Sequence, residues 1–287
     1  MKFFLKKITT FFNRGLIKFL FSFNAGRFLI DKITEVILCE KKKISHNNTN
    51  LEFCSPNRMN FYRIETFSTK EPDTLNWIDD FKKEKVFWDI GANVGLYTVY
   101  AALRRKCRVV AFEPSVFNLE LLSRNLYLNG LHQQVTLLPL ALADKMGRNL
   151  LRMTSTEWGG ALSTFGADVG WDGHSIQEVF AFSTYGLSMD QAVEVLGMPA
   201  PHFIKMDVDG IEHLILEGGD KYLNHKKVKS LSIEINENFK EQYDKVLNLM
   251  NKYEFKLLHK KHNDYMFSEQ SKFKNTYNYI FKKLNSS

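Results

Sequence analysis

The sequence predicts an α/β protein: a doubly wound, mostly parallel sheet with a helical extension at its N-terminus. Three observations carry this. From residue 86, short runs rich in β-branched and aromatic residues alternate with helical patterns over ~170 residues. The first run, VFWDI (86–90), meets a glycine-punctuated turn, GANVG, and a helical pattern follows at once. The opening 38 residues are apolar and basic, unlike anything after them.

On a helical wheel of residues 2–20, Lys2, Lys6, Lys7, Arg14 and Lys18 fall on one side. Phe4, Leu5, Ile8, Phe11, Phe12, Leu16 and Phe19 fall on the other, and Phe3, Ile17 and Leu20 break the pattern. A basic amphipathic helix of this kind suits a membrane interface. It also suits packing on the domain or on a partner, with its lysines in water. No run of ~18 uncharged apolar residues occurs, which argues against a transmembrane span. Charges interrupt the apolar stretch and no small-residue cleavage site follows, which argues against a cleaved signal peptide.

Residues 40–60 are polar and read as a linker or surface loop. The extension is therefore set at 1–45 and the main domain at 60–285. FYRIETF (61–67) alternates apolar and polar residues and predicts a short strand; 74–82 predicts a helix. After VFWDI come a helix at 95–104, a strand at 108–114, and a helix at 115–129 with Ser115 as N-cap and Gly130 past its end. Strands follow at 134–142, 202–208 and 229–236, with helices at 211–224 and 238–252. Residues 254–260 and 276–283 read as a closing strand pair.

One region breaks the rhythm. An insertion at about 145–200 is rich in Gly, Ser, Thr and Trp. Asp144 to Gly147 reads as a hairpin turn, VFAFSTYGL as a strand, and 189–196 as a short helix capped by Ser188. Two readings stand for the insertion: a substrate-facing lid and a structural β-extension. Trp158, Trp171 and His174 within it suit a sugar or polyketide acceptor and a small hydrophobic subcore equally.

Charge narrows the function. The chain carries +7, but residues 1–43 hold ten Lys/Arg and three Asp/Glu, and the remainder holds 29 of each. A basic groove on the main domain is not implied, and nucleic acid is not an expected partner. Three cysteines without CxxC spacing suggest neither a disulfide framework nor a zinc site. A reducing, cytoplasmic setting follows, with peripheral contact at the inner membrane face through residues 1–38 as the accompanying expectation.

The turn after VFWDI places Asp89 at a strand's carboxyl end, where open parallel sheets bind ligands. Gly91 and Gly95 allow a sharp turn and close backbone approach, and Asn93 tolerates a left-handed conformation. The spacing is GxNxG, a poor match to the dinucleotide GxGxxG, and no GK[ST] follows. Asp89 suits a ligand that presents an ammonium group. Glu113 closes the next strand, 24 positions past Asp89, where a carboxylate accepts hydrogen bonds from ribose hydroxyls. Together these point to S-adenosylmethionine. An NAD-binding oxidoreductase is the first alternative and lacks its glycine fingerprint. A non-catalytic binding protein on the same fold is the second.

VFWDIGANVGLYT, AFEPS, PLALADKMG and FIKMDVDGIEHLILEGG, in this order, resemble the FkbM-type methyltransferases over about residues 60–260. The resemblance implies a Rossmann-like class I fold and S-adenosylmethionine as donor. It also implies O-methylation of a natural-product or glycan acceptor. It makes Asp144 a candidate for the adenine amino group, beside its reading as a plain turn residue. The family usually has Glu where Asp209 stands, so a role needing that longer reach is in doubt.

KMDVDG (205–210) ends the fourth strand at the same edge as Asp89. An aliphatic hydroxyl has a pKa near that of water (~15.7), so a base or metal aids its methylation. Asp207 is the first candidate for base or hydroxyl-orienting residue, with Lys205, Asp209 and Glu234 around it. These carboxylates also suit Mg²⁺, though no dedicated metal ligand set is assigned. The structural reading makes Lys205/Asp207 an ion pair and Asp209-Gly210 a helix cap. His213 reads as packing or surface.

Overall fold

The computed structural model describes residues 13–261 and 271–284. The first part of the amphipathic segment, residues 1–12, lies outside the described residues. Residues 13–21 are helical and a second helix spans Asn24–Cys39. Strands then run in chain order: β1 (Lys41–His46), β2 (Thr49–Cys54), β3 (Val86–Ile90), β4 (Arg108–Phe112), β5 (Val135–Leu138), β6 (Ala141–Leu142), β7 (Gly147–Met153), β8 (Thr164–Phe165), β9 (Phe180–Leu187), β10 (Phe203–Met206), β11 (Ser230–Asn236), β12 (Phe255–Lys261) and β13 (Thr276–Lys283).

The central sheet has seven strands in the order β12-β13-β11-β10-β3-β4-β5. β3, β4, β5, β10 and β11 are mutually parallel, and β13 enters antiparallel between β11 and β12. The strand order reverses between β3 and β10, which makes that pair the switch point. The predicted closing pair is β12–β13.

Both faces of this sheet are covered, which is why its strands read as continuous apolar runs. Alternate residues divide between two cores. Trp88, Ile90, Val110 and Phe112 pack on one side, toward the helices Glu212–Glu217 and Lys240–Lys252. Phe87, Val109 and Ala111 pack on the other, with the helices Pro72–Asp79, Leu96–Arg105 and Val116–Leu128.

Several local expectations are corrected. Residues 41–54 are not a linker but the antiparallel hairpin β1–β2. Its turn is Asn47-Asn48, both left-handed with φ 44° and 60°, the geometry of a two-residue hairpin turn that asparagine tolerates. Residues 58–65 are a helix, not a strand. Asn57 caps it by accepting from the Asn60 amide at 2.9 Å, and the helix buries Asn60 and Ile64 while Phe61 and Tyr62 stay exposed.

The strand predicted at 134–142 is two strands in different sheets. Residues 144–147 do not close a hairpin, because β9 lies between β6 and β7. The helix predicted at 211–224 breaks at Gly218-Gly219 into Glu212–Glu217 and Asp220–Asn224. A Cβ on Gly218 would stand 2.5 Å from the Ala143 carbonyl oxygen, so this close approach requires glycine.

The insertion folds as a four-stranded sheet, β6-β9-β7-β8, whose Leu151, Met153, Phe165 and Leu187 join the first core. Ser188 caps Met189–Glu194 through a reciprocal capping box with Gln191.

The hairpin turn gives a test of the corrected N-terminal region. Replacing Asn47 and Asn48 together by alanine should destabilise the protein by roughly 1–2 kcal/mol, the cost of forcing alanine into the left-handed region. Asn48→Gly should not. Urea unfolding midpoints distinguish the two outcomes.

Candidate functional site

The site lies at the carboxyl ends of β3, β4, β10 and β11, around the switch point. Gly91, Asn93 and Asp207 each line three adjoining cavities. The turn is built for close approach. Gly91 has φ 81°, and a Cβ there would lie 2.0 Å from the Asp207 carbonyl oxygen. The amides of Gly91 and Ala92 both donate to the Phe112 carbonyl at 3.0 Å, tying the turn to β4. Asn93 is left-handed at φ 51°.

The first cavity runs along β4. Glu113, buried, sets its floor with Phe112, Leu140, Leu142 and Ile211 as apolar walls. The Glu113 carboxylate accepts from the amides of Asn93 and Ser115, both at 2.8 Å. Burial pushes it up to about 7 despite these bonds. Ser115 holds the N-cap position of its helix, but its side chain makes no capping bond; Glu113 takes its amide instead.

The second cavity has a volume of about 340 Å³. Arg63, Lys70, Lys261, Tyr62 and Tyr277 line it together with Asp207, Asp209 and Glu234. Gly91, Asn93, Ala161, Asp207 and Asp209 belong to both cavities and form their common wall.

Lys205 organises the charges behind that wall. It is buried on β10, in register with Asp89 of β3. Its Nζ lies 2.7 Å from Asp207 Oδ2 and 5.0 Å from the Tyr97 ring centre. Burial alone would lower the ammonium's pKa. The carboxylates of Asp207, Glu71 and Asp89 outweigh burial and hold it above its usual value.

Glu71 is likewise buried and Asp207 is partly buried, and Lys205 and Lys70 keep both below the ordinary carboxylate range. Two neighbours go the other way. Asp209, left-handed at φ 62°, accepts from the Leu162 amide at 2.7 Å. Burial and then the charge of Asp207 push it up to about 7. The same two causes hold Glu234 well above its usual range.

The other predicted residues lie elsewhere. Asp89 is buried against the helix Leu96–Arg105, accepting from the Thr98 hydroxyl at 2.6 Å, and lines none of the three cavities. Burial raises it. Gly95, at φ 83°, starts that helix and packs on Leu122. Asp144 is half-exposed beside Lys145 and lines none of the three cavities. His213 is buried near Phe239, and burial lowers it to about 4, so it packs as a neutral ring.

Trp158 donates to Glu120 at 2.9 Å, Trp171 packs on Phe273 at 4.5 Å, and His174 is exposed. None of the three lines a cavity. The insertion reaches the site through the segment between the two tryptophans. Asn93 and Asn118 both donate to the Gly160 carbonyl, at 2.8 and 3.1 Å, and Arg63 donates to that of Gly159 at 2.8 Å. Arg63, Lys70, Glu71, Asn118 and Lys261 were not visible as site residues in the sequence; they come from layers with no motif of their own.

A parallel sheet ordered in this way, with its last strand reversed and a glycine turn at the switch point, defines a Rossmann-like class I methyltransferase fold. The FkbM methyltransferase domain matches residues 89–257, and the chain belongs to that family. No curated protein matches it. Among solved structures it is similar to the precorrin-6y C5,15-methyltransferase of Geobacter metallireducens GS-15, with 14% identity, 75% of this chain and 87% of that chain covered, and a TM-score of 0.42. It is also similar to M. jannaschii TYW2 in complex with AdoMet (12%; 85% and 87%; 0.42). An rRNA methylase from Streptococcus thermophilus is a third (14%; 74% and 93%; 0.43).

Two outcomes follow. Gly91→Ala combines a forbidden contact with a left-handed backbone and should cost more than ~2 kcal/mol in urea unfolding. Glu212 is pushed by burial from 4.5 up to about 7, so the folded state binds its proton more tightly than the unfolded one. The stability gained is complete below pH 4.5 and is lost as pH rises through about 7. The wild type's advantage over Glu212→Gln in calorimetric Tm should therefore shrink across that window.

Proposed function

We propose that this protein transfers a methyl group from S-adenosylmethionine to a hydroxyl of a sugar, glycan or other small natural-product acceptor. The observation that carries the reading is the common wall. A cavity floored by Glu113 and a roomier one rich in carboxylates, cations and tyrosines meet at Gly91, Asn93, Ala161, Asp207 and Asp209.

The donor side fits the group. Glu113 is placed to accept from a vicinal diol, and Phe112, Leu140, Leu142 and Ile211 offer apolar surface to a flat purine. Asp89 acts through the turn it anchors, and Asp144 has no part in this reading. The bound donor supplies a methyl group made electrophilic by a positively charged sulfur. What remains for the chain is to hold an acceptor oxygen close and in line and to take its proton.

Asp207 and Asp209 divide that work. Asp207 is kept ionised by Lys205 and fixed by their ion pair, so it sets a negative charge beside the acceptor oxygen, where positive charge develops as the methyl group arrives. Asp209 titrates at about 7 and takes a proton near neutral pH more effectively than a fully acidic carboxylate. Lys205 is a positioning residue for Asp207. Oxygens of Asp207, Asp209 and Glu234 lie within 4.8 Å of one another. Lys205 pairs with Asp207, and burial and the charge of Asp207 raise Glu234. The reading assigns the three carboxylates to the acceptor hydroxyl.

Calorimetry should show binding of S-adenosylmethionine and none of NAD; NAD binding alone would overturn the reading. Glu113→Ala should abolish donor binding. With labelled donor and cell glycan fractions, kcat/KM should rise with pH through about 7 as Asp209 loses its proton. Asp209→Asn should lower kcat by on the order of 10²–10³, remove that rise and leave donor affinity nearly unchanged.

A further inference from the structure

The N-terminal helices leave their apolar side chains in solvent. Phe19, Phe28, Leu29, Ile33, Val36 and Ile37 are 42–65% exposed. The helix Asn24–Cys39 buries only Gly26, which packs on Leu20 of the preceding helical segment. The two segments form one bent unit: Arg27 Nε donates to the Phe21 carbonyl at 2.8 Å, and the Phe19 and Phe23 rings meet edge-on at 5.4 Å. At 100° per residue, the apolar positions of Asn24–Cys39 from Ala25 to Ile37 span an arc of about 200° that only Lys32 interrupts, with Arg27, Asp31, Thr34 and Glu35 opposite.

Charge identifies what covers this surface. Residues 1–30 hold six Lys/Arg and no Asp/Glu, and eight of the chain's 24 Phe. A second copy would bring two such cationic segments together, and an apolar arc this broad is wider than a coiled-coil seam. An anionic bilayer offers apolar depth and negative charge at the same place. Among the described residues no helix is long and apolar enough to cross a membrane, so the unit lies in the interface.

We propose that the N-terminal helical unit docks this chain on the surface of an anionic phospholipid bilayer. Phenylalanine, leucine and isoleucine side chains enter the headgroup boundary, and the lysines and arginines of residues 1–30 meet the lipid phosphates. The site at the sheet's carboxyl edge has no part in this contact.

The test is flotation of the full chain with phosphatidylcholine vesicles, with and without phosphatidylglycerol, alongside light scattering. The expected result is flotation only with phosphatidylglycerol, weakened by salt. Leu29→Asp/Ile33→Asp should reduce it by at least about tenfold while circular dichroism stays unchanged. A second variant, Arg14→Glu/Lys18→Glu, should weaken flotation without altering the apolar arc of Asn24–Cys39. Absence of flotation with every vesicle overturns the proposal. So does a dimer in solution that the aspartate variant makes monomeric, since the cover is then a second copy.

Discussion

A single buried ammonium sets the conditions for everything at the carboxyl edge of the sheet. Lys205 sits on the strand beside the switch point, and carboxylates reach it from three segments: Asp207 from its own strand end, Asp89 from β3 and Glu71 from the start of the helix Pro72–Asp79. Without it, acidic groups would be left in a low-dielectric interior with no counter-charge, a costly arrangement. Its position beside Tyr97 also fixes the helix that follows the glycine turn. Lys205 thus ties together the end of β10, β3 and the start of the helix Pro72–Asp79.

The same ammonium sorts the acids. Asp207 and Glu71 are held below the usual carboxylate range by it, burial still raises Asp89 beside it, and Asp209 and Glu234 are raised by burial and by the charge of Asp207. Environment, not residue type, separates a fixed negative charge from an exchangeable proton across one wall. Aspartate at 209 belongs to this logic: a carboxylate on a short stem, in a left-handed backbone, held by the Leu162 amide.

What was legible in the sequence follows from how local each cause is. The parallel strands announce themselves because burial on both faces leaves unbroken apolar runs, and Gly91, Asn93, Glu113, Asp207 and Asp209 are legible as candidates because they sit at the ends of those strands. The β1–β2 hairpin was hidden by its polar face; only Asn47-Asn48 betrayed it. The helix at 58–65 was misread because FYRIETF shows alternation as readily as a helical face, and the cap at Asn57 lies outside that window. Asp89 was read as facing the ligand; the pleat turns it toward Thr98 instead. Arg63, Lys70, Glu71 and Lys261 reach the site by folding together segments far apart in the chain, and no local pattern marks such a meeting.

The carbonyl of Gly160 has a consequence for traffic through the site. It is gripped by Asn93, from the glycine turn, and by Asn118, from the helix that follows Glu113. The Leu162 amide two residues on is held by Asp209. One short stretch of the insertion is thus clasped by Asn93 and Asn118 at one end and by Asp209 at the other. A molecule that displaced any of these clasps would free a stretch whose Ala161 lines both cavities.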